Sequence, residues 1–301
     1  MQLGIIGMGK MGLPLALNGR DKGIDIIVHT EKAEKLALLE REGIRGFARL
    51  EEFASALHRP RAVWLMVPAG QAVDDTIARL LPLLEGGDCI IDGGNSRYRD
   101  SQRRYQELGE RGLRFLDVGT SGGTGGARNG ACLMIGGDAE VYAALEPVFT
   151  ALSGGMGCAL LGPAGSGHFV KMIHNGIEYG MMQAIGEGLE ILRHAPLPLE
   201  PDRVAAVWQR GSIISGLLMD MTAAALAREP GLESIQGVVA VSGEANWTVE
   251  EAVRLGVSAP VIATALFSRF KSQDRQRYAE KTVAAMRREF GGHSVVAGGG
   301  E

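Results

Sequence analysis

Lys171, His174, Asn175 and Glu178 lie at positions i, i+3, i+4 and i+7. A helix through them carries an amine, an imidazole, an amide and a carboxylate on one face. At 1.5 Å per residue, Lys171 and Glu178 stand about 10 Å apart along such a helix, so long side chains can converge on the two ends of a small substrate. Partial burial lowers a lysine pKa toward neutrality and suits it to act as a general base. Partial burial raises a glutamate and suits it to act as a general acid. The same spacing also fits a solvated face with a His174–Glu178 contact. Gly176 and Gly180 flank the face at a cost in helix propensity, which points to close packing there.

A second motif lies at the start of the chain. Gly7-Met8-Gly9-Lys10-Met11-Gly12 is a G-x-G-x-x-G run placed after an apolar strand and before a helical pattern, the context of a dinucleotide loop. Gly7 permits the tight turn, Gly9 lets a pyrophosphate approach the backbone, and Gly12 lets helix and strand pack closely. The next strand ends in Val28-His29-Thr30-Glu31-Lys32. An acid here accepts from the adenosine ribose 2′-OH, so Glu31 favours NAD, while Thr30 and Lys32 could hold the 2′-phosphate of NADP. Asp92-Gly93-Gly94-Asn95-Ser96 puts Asn95 where it could reach a nicotinamide or a sugar hydroxyl. Gly119 to Gly130 reads as a glycine-rich loop whose successive N–H groups could form an anion nest, with Ser121 as an added donor.

The elements that must position these residues fall into two kinds. Strands are expected at Leu3–Ile6, Asp25–His29, Ala62–Val67, Cys89–Asp92, Arg114–Asp117 and Leu133–Gly136, with amphipathic helices at Lys10–Lys22, Lys32–Glu42, Ala72–Leu84 and Asp100–Arg111. That alternation predicts an α/β Rossmann-type N-terminal domain with a mostly parallel sheet and ligands at the carboxyl ends of its strands. Gly162-Pro163-Ala164-Gly165-Ser166-Gly167 breaks the pattern. Beyond it come a long helix over His168–Arg193 and further helices at Pro201–Arg210, Ser212–Arg228, Val249–Leu255, Ala259–Phe270 and Arg275–Glu289. The expected domains are therefore 1–164, dinucleotide-binding, and 165–301, all-helical, with a frayed tail over Gly298–Glu301.

Composition excludes several classes. The chain has 301 residues, 46% hydrophobic and 22% charged, with a formal net charge of −4. A broad nucleic-acid footprint would be basic. No apolar run reaches the ~18 residues of a membrane helix. The N-terminus has no basic segment and starts a strand at once, so a cytoplasmic protein is expected. Cys89, Cys132 and Cys158 form no CxxC pair and read as reduced thiols. Glycine, at 44 residues, is about double its usual ~7% share, which suggests tight loops against a ligand.

Taken in order, Gly7–Gly12, Val67-Pro68-Ala69-Gly70, Ile91–Ser96, Ser121-Gly122-Gly123, Leu133–Gly137 and Lys171-Met172-Ile173-His174-Asn175-Gly176-Ile177-Glu178-Tyr179-Gly180 resemble decarboxylating 6-phosphogluconate dehydrogenases, in their short form. The resemblance implies oxidation of 6-phosphogluconate by NAD or NADP, loss of CO2 and release of ribulose 5-phosphate, without a metal. It implies that Lys171 takes the C3 hydroxyl proton, that the β-keto acid then loses CO2, and that Glu178 protonates C1 of the enediol. Met8, Lys10, Met11, Val67, Pro68, Ala69 and Asn95 would line the cofactor. Asn95, Ser121, Gly122, Gly123, His174 and Asn175 would hold the carboxylate and hydroxyls of the substrate. Tyr179, Thr248 and Arg269 match family positions for the phosphate, and Arg287 and His293 match a tail that reaches into a neighbouring subunit. A homodimer or homotetramer with tail exchange follows, with no nucleic-acid or membrane partner. The family's basic residue before Trp247-Thr248 is here Asn246, and Thr124-Gly125 replaces an acidic pair. A relative acting on a small unphosphorylated acid such as 3-hydroxyisobutyrate would share the dinucleotide loop and the lysine. It would not need Glu178, Tyr179, Arg269, Arg287 and His293 together. A dinucleotide sensor without turnover would need neither Lys171 nor Glu178.

Overall fold

The computed structural model describes the whole chain apart from Met156 and Ala297–Glu301, so the expected frayed tail at Gly298–Glu301 lies outside the described residues. The chain forms two compact units, Met1–Gly176 and Ile177–Glu301.

The first unit is built on an eight-stranded sheet. Its strands are β1 (Gln2–Ile6), β2 (Asp25–His29), β3 (Arg45–Phe47), β4 (Ala62–Leu65), β5 (Cys89–Asp92), β6 (Arg114–Ser121), β7 (Cys132–Gly137) and β8 (Cys158–Gly162). They run in the order β3-β2-β1-β4-β5-β6-β7-β8, all neighbours parallel except β6 and β7. The order reverses between β1 and β4, the switch point at which such sheets bind ligands outside their carboxyl ends. Helices cover both faces, so strand residues of either parity are buried and the strands read as continuous apolar runs. Leu3, Ile5 and Trp64 pack on one side with Leu15 and Phe149, while Ile6, Val63 and Leu65 pack on the other with Phe53 and Phe115.

The helices of this unit are α1 (Gly12–Asp21), α2 (Ala33–Arg41), α3 (Leu50–Ser55), α4 (Gln71–Leu80), α5 (Tyr98–Gly109), α6 (Gly123–Asn129) and α7 (Ala139–Leu152). The glycine-rich segment expected as a loop is thus partly the short helix α6, entered through Gly122 at φ +108°. Four further elements were not expected: β3, α3, α7 and β8. The strand expected to reach Val67 ends at Leu65, and the one expected to end at Asp117 runs on to Ser121, where it pairs with β7.

Helix α8 (Ser166–Arg193) crosses from one unit to the other. A Cβ on Gly167 would collide with the carbonyl oxygens of Met134 and Asp117, and one on Gly119 would collide with the Cβ of Lys171. The first turns of α8 therefore lie flat on β6 and β7. That contact draws them into the sheet unit, which as a compact unit runs to Gly176.

The second unit continues with α9 (Pro201–Trp208), α10 (Leu217–Arg228), α11 (Gly243–Leu255), α12 (Pro260–Gln273) and α13 (Tyr278–Gly291), and contains no strand among the described residues. Helix α10 starts later than expected because Ser212–Gly216 turns instead, with Gly216 at φ +144°. Helix α11 starts earlier, so Thr248 lies within it. Two small clusters hold this unit: Tyr179, Ala245, Ala265 and Leu266, and Ala205, Met219, Ala223 and Leu226. No helix among the described residues is long and apolar enough to cross a membrane.

Gly167 has only backbone around its missing side chain. Gly167→Ala cannot be relieved by rotating a neighbour, and overpacking of that kind costs about 1–3 kcal/mol. Calorimetry is expected to show the transition of the sheet unit lowered by several degrees. An unchanged Tm would show that α8 does not bear on the sheet at this point.

Candidate active site

At the end of β1 the chain turns through Gly7 at φ +102°, where a Cβ would strike the Met66 carbonyl. Gly12 opens α1 so close to that turn that a Cβ would strike the Gly7 carbonyl, while nothing lies within 4 Å of the Cβ position of Gly9. The first turn of α1 carries no acidic residue. Open space over Gly9 and a helix N-terminus without a competing carboxylate suit a dinucleotide pyrophosphate. Met8 is buried beneath this loop, Met11 is half-buried and Lys10 is exposed.

At the end of β2 the Thr30 side chain is buried, and its hydroxyl accepts from the Lys32 N–H at 3.4 Å. Glu31 and Lys32 are exposed. The Glu31 carboxylate accepts from Arg79 Nη2 of α4 at 2.8 Å, and that hydrogen bond holds its pKa below the usual range. Arg79 gave no signal in the sequence. His29 beneath them is buried, which pushes its pKa down, and its Nδ1 meets the Phe47 carbonyl at 3.1 Å.

After β4 and β5 two loops approach each other. A Cβ on Gly94 would lie 3.1 Å from the Val67 carbonyl, and one on Gly93 would strike the Trp64 indole. Pro68 and Ala69 are exposed, as is Asn95. The buried Asp92 carboxylate shapes the second loop by accepting from the Gly94 N–H at 3.2 Å and the Ser96 hydroxyl at 2.7 Å.

The face predicted to carry the chemistry begins in the sheet unit. Asp117 of β6, fully buried, accepts from the N–H of Gly165 at 2.6 Å and of His168 at 2.8 Å. A carboxylate is thereby placed at the N-terminus of α8, where N–H groups lack helical partners and the helix dipole is positive. His168 is buried behind it with Nδ1 at 2.7 Å from the Ser101 hydroxyl. One turn further, Lys171 is 6% exposed and seated over Gly119. Another turn on, His174 Nε2 meets the Ser121 hydroxyl at 3.1 Å and Nδ1 meets Asn175 Oδ1 at 3.0 Å. The Asn175 oxygen can only accept, so Nδ1 carries a proton and donates to it. The structure thus brings Ser121 at the end of β6 against His174 and Asn175 of the helix that carries Lys171. Gly122 is half-buried beside Ser121, and Gly123 is exposed with open space above it.

In the second unit Glu178 is half-buried and Tyr179 is buried. The Tyr179 hydroxyl lies 2.7 Å from the Ser242 hydroxyl and accepts from the Ser242 N–H at 3.1 Å. The Arg269 guanidinium sits 3.3 Å from the centroid of the Tyr179 ring, while its Nη1 donates to the Ala240 carbonyl at 3.1 Å. Tyr179 and Arg269 are therefore neighbours, and Ser242, not anticipated, joins them. Thr248 is buried and donates to the Glu244 carbonyl at 2.8 Å. Arg287 on α13 and His293 just past it are exposed, and no described hydrogen bond or ion pair links them to this cluster. Among the described residues no group of three or more His, Cys, Asp or Glu side chains could hold a metal ion.

Residues 2–162 match the NAD binding domain of 6-phosphogluconate dehydrogenase, and residues 167–295 match the 6-phosphogluconate dehydrogenase C-terminal domain. A Bacillus subtilis protein whose name gives it provisionally as a 6-phosphogluconate dehydrogenase is 45% identical over 98% of this chain and 99% of its own length. A Haloferax volcanii protein named as an NAD(+)-dependent, decarboxylating 6-phosphogluconate dehydrogenase is 38% identical over 98% of this chain and 99% of its own. Among solved structures, Plasmodium falciparum 6-phosphogluconate dehydrogenase, described with NADP+ and with 6-phosphogluconate, is 32% identical with a TM-score of 0.83, covering 100% of this chain and 67% of that one.

Asp117 is the tie between β6 and the start of α8, and Asp117→Asn replaces one of its two acceptor oxygens by a donor facing an N–H. Leaving a buried donor unpaired costs about 1–3 kcal/mol. Denaturant unfolding is expected to register that loss in the sheet unit, and a variant as stable as the parent would remove Asp117 from this role.

Proposed function

Because the chain belongs to the 6-phosphogluconate dehydrogenase family, we propose that it catalyses the NAD(P)-dependent oxidative decarboxylation of 6-phosphogluconate to ribulose 5-phosphate and CO2. The observation that carries this reading is the buried Lys171, held over Gly119 on a helix anchored to the sheet and followed one turn later by the Ser121–His174–Asn175 chain. The bound dinucleotide supplies the hydride acceptor.

Lys171, acting as an unprotonated amine, takes the C3 hydroxyl proton while the C3 hydride departs. The amine then holds that proton against the new C3 carbonyl oxygen and polarises it. C1 departs as CO2, and the electrons of the broken C1–C2 bond flow through C2 toward the C3 carbonyl; the resulting enediol spans C1 and C2 of the five-carbon product, and Glu178 delivers the proton its C1 needs. Base and acid end in swapped protonation states, so both are required in one cycle. Ser121, Gly122, Gly123, His174 and Asn175 orient the carboxylate and hydroxyls, with Asn95 between cofactor and sugar. Tyr179 and Arg269, whose guanidinium lies over the Tyr179 ring, are the phosphate end together with Thr248 of α11. Arg287 and His293 act in a neighbouring copy. Exposed Phe267, Met286 and Phe290 support such self-association, because large exposed apolar side chains mark interaction surfaces.

NAD is the preferred cofactor in this reading. Glu31, ionised, accepts from a ribose 2′-OH and engages the Arg79 guanidinium that a 2′-phosphate would otherwise take. Absorbance at the reduced-nicotinamide band is expected to rise with 6-phosphogluconate and NAD, with CO2 released. Glu31→Ala should shift the NADP to NAD ratio of kcat/KM upward by about tenfold or more, the value of one charge-assisted contact. A ratio that favours NADP in the parent would overturn the preference.

Lys171→Met removes the base while leaving the dinucleotide loop intact. Turnover is expected to fall by about 10²–10⁴-fold with the dissociation constant for NAD little changed. Faster reduction with 3-hydroxyisobutyrate than with 6-phosphogluconate would sink the substrate assignment.

A further inference from the structure

Arg104 on α5 is among the largest fully buried side chains of the protein. Its guanidinium reaches three separate segments. Nε donates to Asp74 Oδ1 of α4 at 2.8 Å, Nη1 to Asp92 Oδ2 at the end of β5 at 3.1 Å, and Nη2 to the Gly70 carbonyl at 3.1 Å. Asp92, itself fully buried, passes the constraint on to the Gly94 N–H and the Ser96 hydroxyl. One planar group therefore ties the loop 66–70 to the loop 93–97. These are the loops assigned above to the cofactor and to the junction of cofactor and sugar.

We propose that Arg104 is a positioning residue for the reaction: it fixes the cofactor loop 66–70 against the loop carrying Asn95, and so sets how the two reactants meet. The proposal rests on the function proposed above. Three observations carry it. The loops have no ladder between them, since β4 ends at Leu65 and β5 at Asp92, yet they abut so closely that a Cβ on Gly94 would lie 3.1 Å from the Val67 carbonyl. Gly70, one of the three anchors, is the residue from which α4 starts, at φ +83°, so the bond to its carbonyl fixes the end of the loop 66–70. A buried ion cluster is also a weak source of stability, because desolvation offsets most of the attraction and an apolar replacement of equal volume is often as stable. What the cluster contributes is geometry, since a guanidinium fork fixes three acceptors in one plane and an ammonium does not.

Hydride transfer is steep in distance and angle, so a misplacement of about 1 Å can lower turnover by about 10²-fold. Pyrophosphate binding at Gly7–Gly12 does not pass through Arg104. Loosening the clamp is therefore expected to separate binding from chemistry.

The test compares Arg104→Lys and Arg104→Gln with Arg103→Gln, which removes an exposed partner of Asp74 and is the control. In the Arg104 variants kcat with 6-phosphogluconate is expected to fall by about 10–100-fold, while the dissociation constant for NAD alone moves less than about threefold. The primary isotope effect with substrate deuterated at C3 should rise as the chemical step becomes limiting. Amide hydrogen exchange should accelerate together in peptides spanning 66–71 and 93–97, with the rest of the sheet unchanged. A merely structural role would lower Tm and the folded fraction, leaving the isotope effect and kcat per folded site at parental values; that result would overturn the proposal. So would Arg104→Lys with unaltered exchange in both loops. A parent that reduces neither dinucleotide with 6-phosphogluconate would overturn the proposed function instead, and the exchange measurement would still decide whether the clamp exists.

Discussion

The start of α8 rests on a fully buried carboxylate. Asp117 lies inside the sheet and gives both oxygens to N–H groups of Gly165 and His168. An ion this deep is tolerable only if its hydrogen bonds are made, and the free N–H groups at a helix start are suited to make them. The direction and depth of α8 follow, and with them the place of Lys171. Three glycines then let the helix come down to the strands. A Cβ at Gly119 would meet Lys171, one at Gly136 would lie 2.6 Å from Asp117 Oδ1, and one at Gly167 would meet two carbonyls. The glycine content that first suggested ligand loops is in part a record of this packing.

Much of the sheet was legible because burial on both faces makes strands plain in composition. β2 and β5 coincide with the apolar runs Asp25–His29 and Cys89–Asp92. Elements outside that regime were not. β3 is three residues of Arg-Gly-Phe at an edge, and β8 alternates between partial burial and exposure. α7 contains Pro147, which reads as a breaker, and three of the seven residues of α6 are glycine. In these cases tertiary contacts override local preference.

The site divides along the same line. Lys171, His174 and Asn175 were legible because helical spacing is a local property, and the dinucleotide loop because its glycines are contiguous. Arg79, Asp117 and Arg104 were not. Arg79 pairs with a residue 48 positions away and Asp117 with ones 48 and 51 away. No periodicity marks such partners, and a charged residue in a sequence reads as a solvated one until the fold buries it.

The charge problem ties these residues together. The substrate and the dinucleotide proposed for this protein are both anionic, and the chain has a formal net charge of −4. A site can meet that in two ways: by gathering cations, or by disarming its own acids and presenting neutral donors. This molecule uses the second in the sheet unit. Asp92 is answered by Arg104 and Asp117 by backbone N–H groups, both out of contact with solvent. The first turn of α1 has no acid, and His174 stands between the Ser121 hydroxyl and the Asn175 amide oxygen. Glu31 is the exposed exception, and Arg79 pairs with it. Backbone N–H groups and hydroxyls carry no counterion and need little reorganisation when an anion arrives. Lys171 is then a cation in only one half of the proposed cycle, when the carbonyl it faces needs one. A ring of fixed positive charge would hold the anion equally well in every state; a site of neutral donors lets the charge of Lys171 decide the difference between them.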